Sequence, residues 1–428
     1  MRQFLGDCVL MLGSHGLRLA GLVVCQALLI RLAGTTAFAH FSYLVGIFTL
    51  LGVVSDLGIG PTAAKEVAEA EDASQERRCT AAMRRMMLLP ICFFCLAATL
   101  SVLASAAFIA PQLWWPGIVG ALAGFGFALQ VPLRDLLSGK KDIFGFAVMN
   151  SAPFVLGAAI MVVAAAFSAL DLQTAMNTIA LTHSLTAVLL LWRCGGLARA
   201  RTAAVDRFRA ARREYGWGIS LGRIVGTGAF LLDVPILGFF WTPTHLAAYA
   251  ALKTISQPLS VAGSIVSRVV FKRLVSLPRI PLRFQLLNGA FALAAGCCLM
   301  AGGYSALRLV YDIDPAPLQM ALMAQCVAVM AHAVYSLYNS WLHAQGHGRL
   351  LGFGGVAFGV LCVLANFLLI PWRGAAGACL ANVVCNVSWL VFCLICHYRC
   401  AAAADEPQRG EGVQAYPTEK ATSEGLAA

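Results

Sequence analysis

Twelve apolar runs, each close to the ~20 residues that a helix needs to cross a bilayer, leave this chain few ways to fold. Inside lipid every backbone N–H and C=O must find its partner within the structure, so such runs read as transmembrane helices. The expected spans are 8–33, 38–62, 86–110, 113–135, 143–168 and 174–193, then 215–240, 244–270, 285–307, 319–343, 350–370 and 375–398. Composition agrees. The 428 residues are 60% hydrophobic and only 12% charged, where a soluble protein carries about 25% charged residues. Mean hydropathy is +0.78. The first run has no convincing small-residue cleavage site, so it is expected to remain as a span rather than act as a removable leader.

The net charge of +11 does not point to nucleic acid, because the basic residues fall in short loops between spans. With the N-terminus inside, loops and tails on the inner side hold 25 of the 31 Lys and Arg residues. Three (Arg31, Arg308 and Arg373) fall outside, and Arg18, Arg223 and Lys253 lie within spans. That bias is the signature of cytoplasmic loops beside an anionic leaflet. Both termini are therefore expected in the cytoplasm, in a multi-pass protein that contacts membrane lipids. The densest loop, 193–213, carries seven arginines and lies midway along the chain.

A weak internal repeat divides the chain at that loop. Tyr43 corresponds to Tyr249 and Trp192-Arg193-Cys194 to Tyr398-Arg399-Cys400, both 206 positions later. Ser138-Gly139-Lys140-Lys141 corresponds to Gln345-Gly346-His347-Gly348 at 207, and Arg18 to Arg223 at 205. Six spans per half bring both halves in from the same side, a parallel repeat of the kind that encloses a site at its interface. The expected fold is all-α and integral to the membrane: about twelve transmembrane helices in two pseudo-symmetric six-helix bundles around a central cavity. Residues 1–200 would form one bundle, 201–398 the other, and 399–428 a disordered cytoplasmic tail, polar and low in hydrophobicity.

Intramembrane charges are the candidate site. A cation at a helix centre costs about 2.5–3.5 kcal/mol or more facing lipid, so such residues face a bundle interior or a wet cavity. Arg18, Arg223 and Lys253 outnumber the anions at their depth and give a cavity of positive character. Arginine forks match phosphate oxygens and lysine adds a point charge. The competing reading is an internal ion-pair lock of Arg223 or Lys253 with Asp233. Asp233 precedes Pro235, where a helix flexes, and is expected either to take part in coupling or to balance Lys253. Asp56, in Ser55-Asp56-Leu57-Gly58, reads as a helix-end or interhelical clamp with a gating role, since Gly58, Gly60 and Pro61 let the helix break there. Asn150, Gln257, Gln325, Asn339, Asn366, Asn382 and Asn386 are expected chiefly as interhelical glue. Trp114, Trp115, Trp241 and Trp372 form an interfacial belt.

Most of the 15 cysteines sit in apolar runs as small hydrophobes. Cys393-Leu-Ile-Cys396-His397 has the spacing of c-type haem attachment, but ends the last span on the expected cytoplasmic side, where that attachment does not occur. No metal site, cofactor or catalytic constellation is expected, and no nucleotide loop in a soluble domain. The chain is not expected to be an enzyme.

Three stretches carry a family resemblance. They are RLAGTTAFAHFSYLVGIFTLLGVVSDLGIG, the pair LLDVPILGFF and AAYAALKTISQPLSVAGSIV, and HAQGHGRLLGFGGVAFGVLCVLANFLLIPWRGAAGACLAN. Together with the Asn366–Ala378 run and the Asp56–Gly58 triplet, the chain resembles the polysaccharide transporters, or O-antigen flippases of Wzx type. These belong to the multidrug/oligosaccharidyl-lipid/polysaccharide exporter superfamily. The resemblance implies alternating-access transfer of an undecaprenyl-diphosphate-linked oligosaccharide to the outer leaflet, for O-antigen, capsule or exopolysaccharide. It also implies a polysaccharide polymerase or export machinery as partner, and cationic cavity residues that meet the diphosphate. The alternatives are a cation-coupled drug antiporter of the same superfamily, a membrane glycan polymerase or ligase, and a structural membrane component. The antiporter would want acidic residues at the outer end of the first half, and the polymerase a large outer loop. Three intramembrane cations have no use in a purely structural component.

Overall fold

The computed structural model describes residues 2–195, 202–274, 277 and 279–405. It is helical throughout, with no strand among those residues. The first half runs α1 (Arg2–Leu32), α2 (Thr35–Val54), α3 (Ile59–Ala68), α4 (Ala73–Met86), α5 (Leu88–Phe108), α6 (Trp114–Ala123), α7 (Gly126–Gly139), α8 (Ile143–Ala166) and α9 (Leu172–Gly195). The second runs α10 (Thr202–Ala211), α11 (Trp217–Arg223), α12 (Ala229–Leu231), α13 (Asp233–Phe240), α14 (Pro243–Leu274), α15 (Leu282–Tyr311), α16 (Gln319–Ala344) and α17 (Gly348–Asp405). Among the described residues, ten helices are long and apolar enough to cross a membrane. One of these, α17, is folded double at Gly374, and the 32-residue α14 lies between the two halves. Counting both brings the crossings to the expected twelve.

The helix breaks follow local chemistry. Between α2 and α3 the chain turns through Leu57 (φ 47°) and Gly58 (φ 83°), so the run expected to span 38–62 ends at Val54 and resumes as a short helix. Asp142 and Asp171 cap α8 and α9 by accepting the N–H groups of Gly145 (2.8 Å) and Thr174 (2.7 Å), as carboxylates at N-caps do. α17 reverses at Gly374, whose φ of 57° and ψ of −128° suit glycine alone among the residues. Its two arms then lie side by side, with Phe358 and Trp389 rings 5.2 Å apart.

Charged loops gather at one end of the bundle, with α4 and α10 lying against α3 there. Three ion pairs tie that end: Lys140–Glu76 (2.8 Å), Arg193–Asp142 (3.1 Å) and Arg207–Glu66 (3.2 Å). The last of these joins the two halves. At the opposite end links are short and Trp114, Trp115 and Trp372 are exposed, as an interfacial belt requires. Cys393 and Cys396 are buried in the core of the second half, where the His397 ring packs 4.6 Å from that of Trp341. Among the described residues no group of His, Cys, Asp or Glu has a metal-binding arrangement. The last helix continues to Asp405; the rest of the tail expected to be disordered, and residues 196–201 of the arginine-rich loop, lie outside the described residues.

Gly374 gives a direct test of this packing. A Cβ there would come within 3.0 Å of both His245 and the Trp241 ring, besides straining the backbone. Strain of this kind costs on the order of 1–3 kcal/mol. Gly374→Val is expected to lower the unfolding temperature of the purified protein by several degrees, measured by tryptophan fluorescence. Gly302→Ala, at a position facing open space, should leave it unchanged or slightly raised.

Candidate functional site

Where the two halves meet, α1, α2, α7, α8, α9, α12, α13 and α14 enclose a cavity of about 230 Å³. Its lining is polar on one side, with Arg18, Gln26, Thr49, Gln130, Arg134, His183, Lys253, Thr254 and Gln257. Apolar residues such as Phe41, Phe127 and Ile179 complete it. Ordinary ligand pockets occupy about 300–1,000 Å³, so the space is small for a ligand site.

Arg18 lies at the middle of α1, and its guanidinium sits 5.2 Å from the centre of the Phe154 ring. Arg134 lies on α7, with Nη2 donating a long hydrogen bond (3.4 Å) to Asn150 Oδ1. The Nε of each arginine is buried without a partner. Among the described residues neither guanidinium has a carboxylate within ion-pair distance. His183, stacked 4.4 Å from the Phe127 ring, directs Nδ1 to its own helix, at 2.8 Å from the Ile179 carbonyl.

Lys253 shares this cavity but is paired. Its Nζ lies 2.6 Å from Asp233 Oδ2, and the Asp233 side chain is fully buried. The same oxygen accepts the Tyr249 hydroxyl, while Oδ1 accepts the Val234 N–H at 2.7 Å. Asn382 in turn donates to the Tyr249 oxygen at 2.9 Å. The ion-pair lock weighed for Lys253 is therefore present.

Arg223 stands apart. It does not line the cavity, although its place in the repeat matches that of Arg18. Its Nη1 lies 2.8 Å from Asp135 Oδ2 and 3.4 Å from Asp56 Oδ2, so one cation of the second half clasps two carboxylates of the first. Asp56 is fully buried and also accepts the Gly60 N–H (2.8 Å), which ties the clasp to the start of α3. Beside the clasp, Gly58 and Gly216 touch backbone to backbone; a Cβ on Gly216 would lie 2.3 Å from the Gly58 carbonyl oxygen. Five-residue π turns, Arg212–Gly216 and Ile224–Gly228, flank α11, and Gly216 of this contact closes the first of them; such turns concentrate at functional sites. At the other end of the cavity the Tyr311 hydroxyl donates to Gln26 Oε1 at 3.0 Å, and the Phe38 and Tyr311 rings lie 6.0 Å apart. Both ends are shut.

Sequence reasoning missed Arg134 and Asp135. Arg134 was counted with the inner-side loop cations because it falls one residue before the expected end of the fourth span at 135, whereas α7 continues to Gly139. The adjacent Arg-Asp pair at the end of an apolar run was the available signal. Of the residues singled out, Arg18, Lys253 and Asp233 come together, while Asp56 and Arg223 form a second cluster.

By sequence alone no curated protein matches the chain. Solved structures do match in fold. A lipid II flippase MurJ in an inward closed conformation superposes with a TM-score of 0.73 at 11% identity, over 92% of this chain and 87% of that one. The MATE multidrug transporter DinF-BH in complex with R6G gives 0.64 at 11%, over 92% and 94%. A multidrug/oligosaccharidyl-lipid/polysaccharide exporter superfamily transporter from Pyrococcus furiosus, described as having a binding pocket of reverse polarity, gives 0.58 at 11%, over 94% and 95%. These neighbours are transporters and flippases, and their two-lobed helical fold is the fold found here. Residues 7–277 match the family model for polysaccharide biosynthesis protein. The chain belongs to the polysaccharide biosynthesis protein family.

Proposed function

We propose that this membrane transporter is a flippase for an undecaprenyl-diphosphate-linked oligosaccharide. It would carry that lipid from the cytoplasmic to the outer face of a bacterial inner membrane, for surface polysaccharide synthesis. One observation carries the reading: two buried guanidinium groups, Arg18 and Arg134, share a cavity in which, among the described residues, neither has a carboxylate within ion-pair distance. An uncompensated charge in such a place is strongly unfavourable unless something anionic visits it. A diphosphate has the charge and the oxygen geometry that two arginine forks and Lys253 match. A drug cation would be repelled by the same residues.

In this reading the clasp of Arg223 with Asp56 and Asp135 closes the cytoplasmic end, and the Gly58–Gly216 contact seals it. Opening that end admits the diphosphate and glycan, and closing it precedes opening on the far side, as in other two-lobed carriers. Residues 1–200 and 201–398 act as the two moving bundles. A polymerase or export assembly would take the product.

Deleting the gene and extracting the polyprenyl-linked lipids tests this. Flipping predicts a complete diphosphate-linked repeat unit accumulating on the cytoplasmic face, with surface glycan lost. Unpolymerised single repeats at the surface would indicate a polymerase, and altered drug tolerance with normal glycan an antiporter. In the complemented strain, Arg18→Gln and Arg134→Gln should each lower surface glycan about tenfold or more, the weight of a charge-assisted hydrogen bond of ~1.5–3 kcal/mol. Because each removes an unbalanced buried charge, both variants should also raise the unfolding temperature of the empty protein. The clasp generates a further expectation. In a background cleared of native cysteines, joining Glu66→Cys to Arg207→Cys with a short reducible thiol cross-linker should stop transport, and reduction should restore it.

A further inference from the structure

The second bundle holds its cavity lysine differently from the way the arginines are held. Lys253 Nζ is 2.6 Å from Asp233, yet the side chain lines the same space as Arg18 and Arg134 and is 20% exposed. Asp233 does not depend on Lys253 alone: the Tyr249 hydroxyl caps the same carboxylate oxygen and the Val234 N–H the other. If the lysine swings away, two donors remain on the carboxylate, and Asn382 keeps Tyr249 in place. The first bundle has no counterpart. At the 206-residue offset Asp233 corresponds to Ala27 and Lys253 to Ile47, while Tyr43, the partner of Tyr249, shares its hydroxyl with Ser105 at 2.9 Å.

We propose that Asp233 is a built-in competitor for the diphosphate: it holds Lys253 in the empty cavity, yields it when the lipid-linked phosphate binds, and reclaims it to drive release. This rests on the diphosphate reading of the cavity. Affinity for substrate is then the phosphate–lysine attraction less the pair that must be broken. The carrier thereby avoids holding its cargo so tightly that turnover stops. Tyr249 sets the balance, since its hydroxyl relieves the charge on the oxygen that Lys253 leaves.

The test is titration of undecaprenyl diphosphate into the full chain in phosphatidylcholine nanodiscs, with flipping measured in vesicles. Asp233→Asn should bind about tenfold tighter and flip more slowly. Lys253→Gln should bind more weakly, and the double variant should match Lys253→Gln, because the competitor acts only through the lysine. Tyr249→Phe should shift affinity the opposite way from Asp233→Asn, by strengthening the hold of Asp233 on Lys253; a merely structural role would shift both the same way. Monodisperse Asp233→Asn protein that binds no tighter than wild type, while Arg18→Gln loses binding, overturns the competitor and leaves the diphosphate site standing. Wild-type protein that binds no undecaprenyl diphosphate overturns both.

Discussion

Two guanidinium groups without a carboxylate partner, inside a bundle of membrane helices, set the terms for the rest of the structure. Placing an unpaired charge in a low-dielectric interior is strongly unfavourable, and the fold does only part of the work of relieving it. Arg18 lies over the Phe154 ring and Arg134 reaches Asn150 through a long bond. Neither contact neutralises a charge. Gln26, Thr49, Gln130 and Gln257 line the rest of the cavity with neutral dipoles, which solvate a cation or an incoming anion alike. On the proposed reading such a site suits an anion that arrives and leaves, where a resident carboxylate would have made it a structural salt bridge.

The contrast with the other two intramembrane cations is instructive. Arg223 has two carboxylates, both from the opposite half, and its cluster joins the halves at their charged end. Lys253 has one, from its own half, and stays in the cavity wall. On the proposed reading the same residue chemistry serves closure in one place and recognition in the other, and the position of the counter-ion decides which. The glycine contact between residues 58 and 216 belongs with the clasp. Backbone packed on backbone closes tightly and carries no side chain that must be displaced when the halves part.

Much of this was legible in the sequence. Hydrophobic run lengths gave twelve spans, and the structure moves most of their ends by only a few residues. The break after Val54 followed from Gly58, Gly60 and Pro61. Arg18 and Lys253 could be picked out because they interrupt apolar runs, where membrane physics leaves few alternatives. Asp233, twenty positions before Lys253, was within reach as its counter-ion. What could not be read was long-range partnership. Arg223 meets Asp56 and Asp135 across 167 and 88 residues of chain, and no local pattern reports such a pairing. The repeat even misdirected, since it equated Arg223 with Arg18 although the two halves use that position for different ends. Arg134 was hidden by its place at the expected end of a span: the helix runs on to Gly139, and a cation grouped with the loop belongs to the cavity.

The central claim is that this cavity carries a lipid-linked diphosphate from one leaflet to the other. The most direct measurement is flipping by the purified chain in sealed vesicles containing a fluorescent undecaprenyl-linked sugar, read by quenching from outside, with the diphosphate-linked and monophosphate-linked lipids compared. The account predicts that vesicles with the protein expose the diphosphate lipid to quencher well beyond protein-free vesicles, with a much smaller gain for the monophosphate. Equal exposure with and without protein, or no preference between the two linkages, would contradict it.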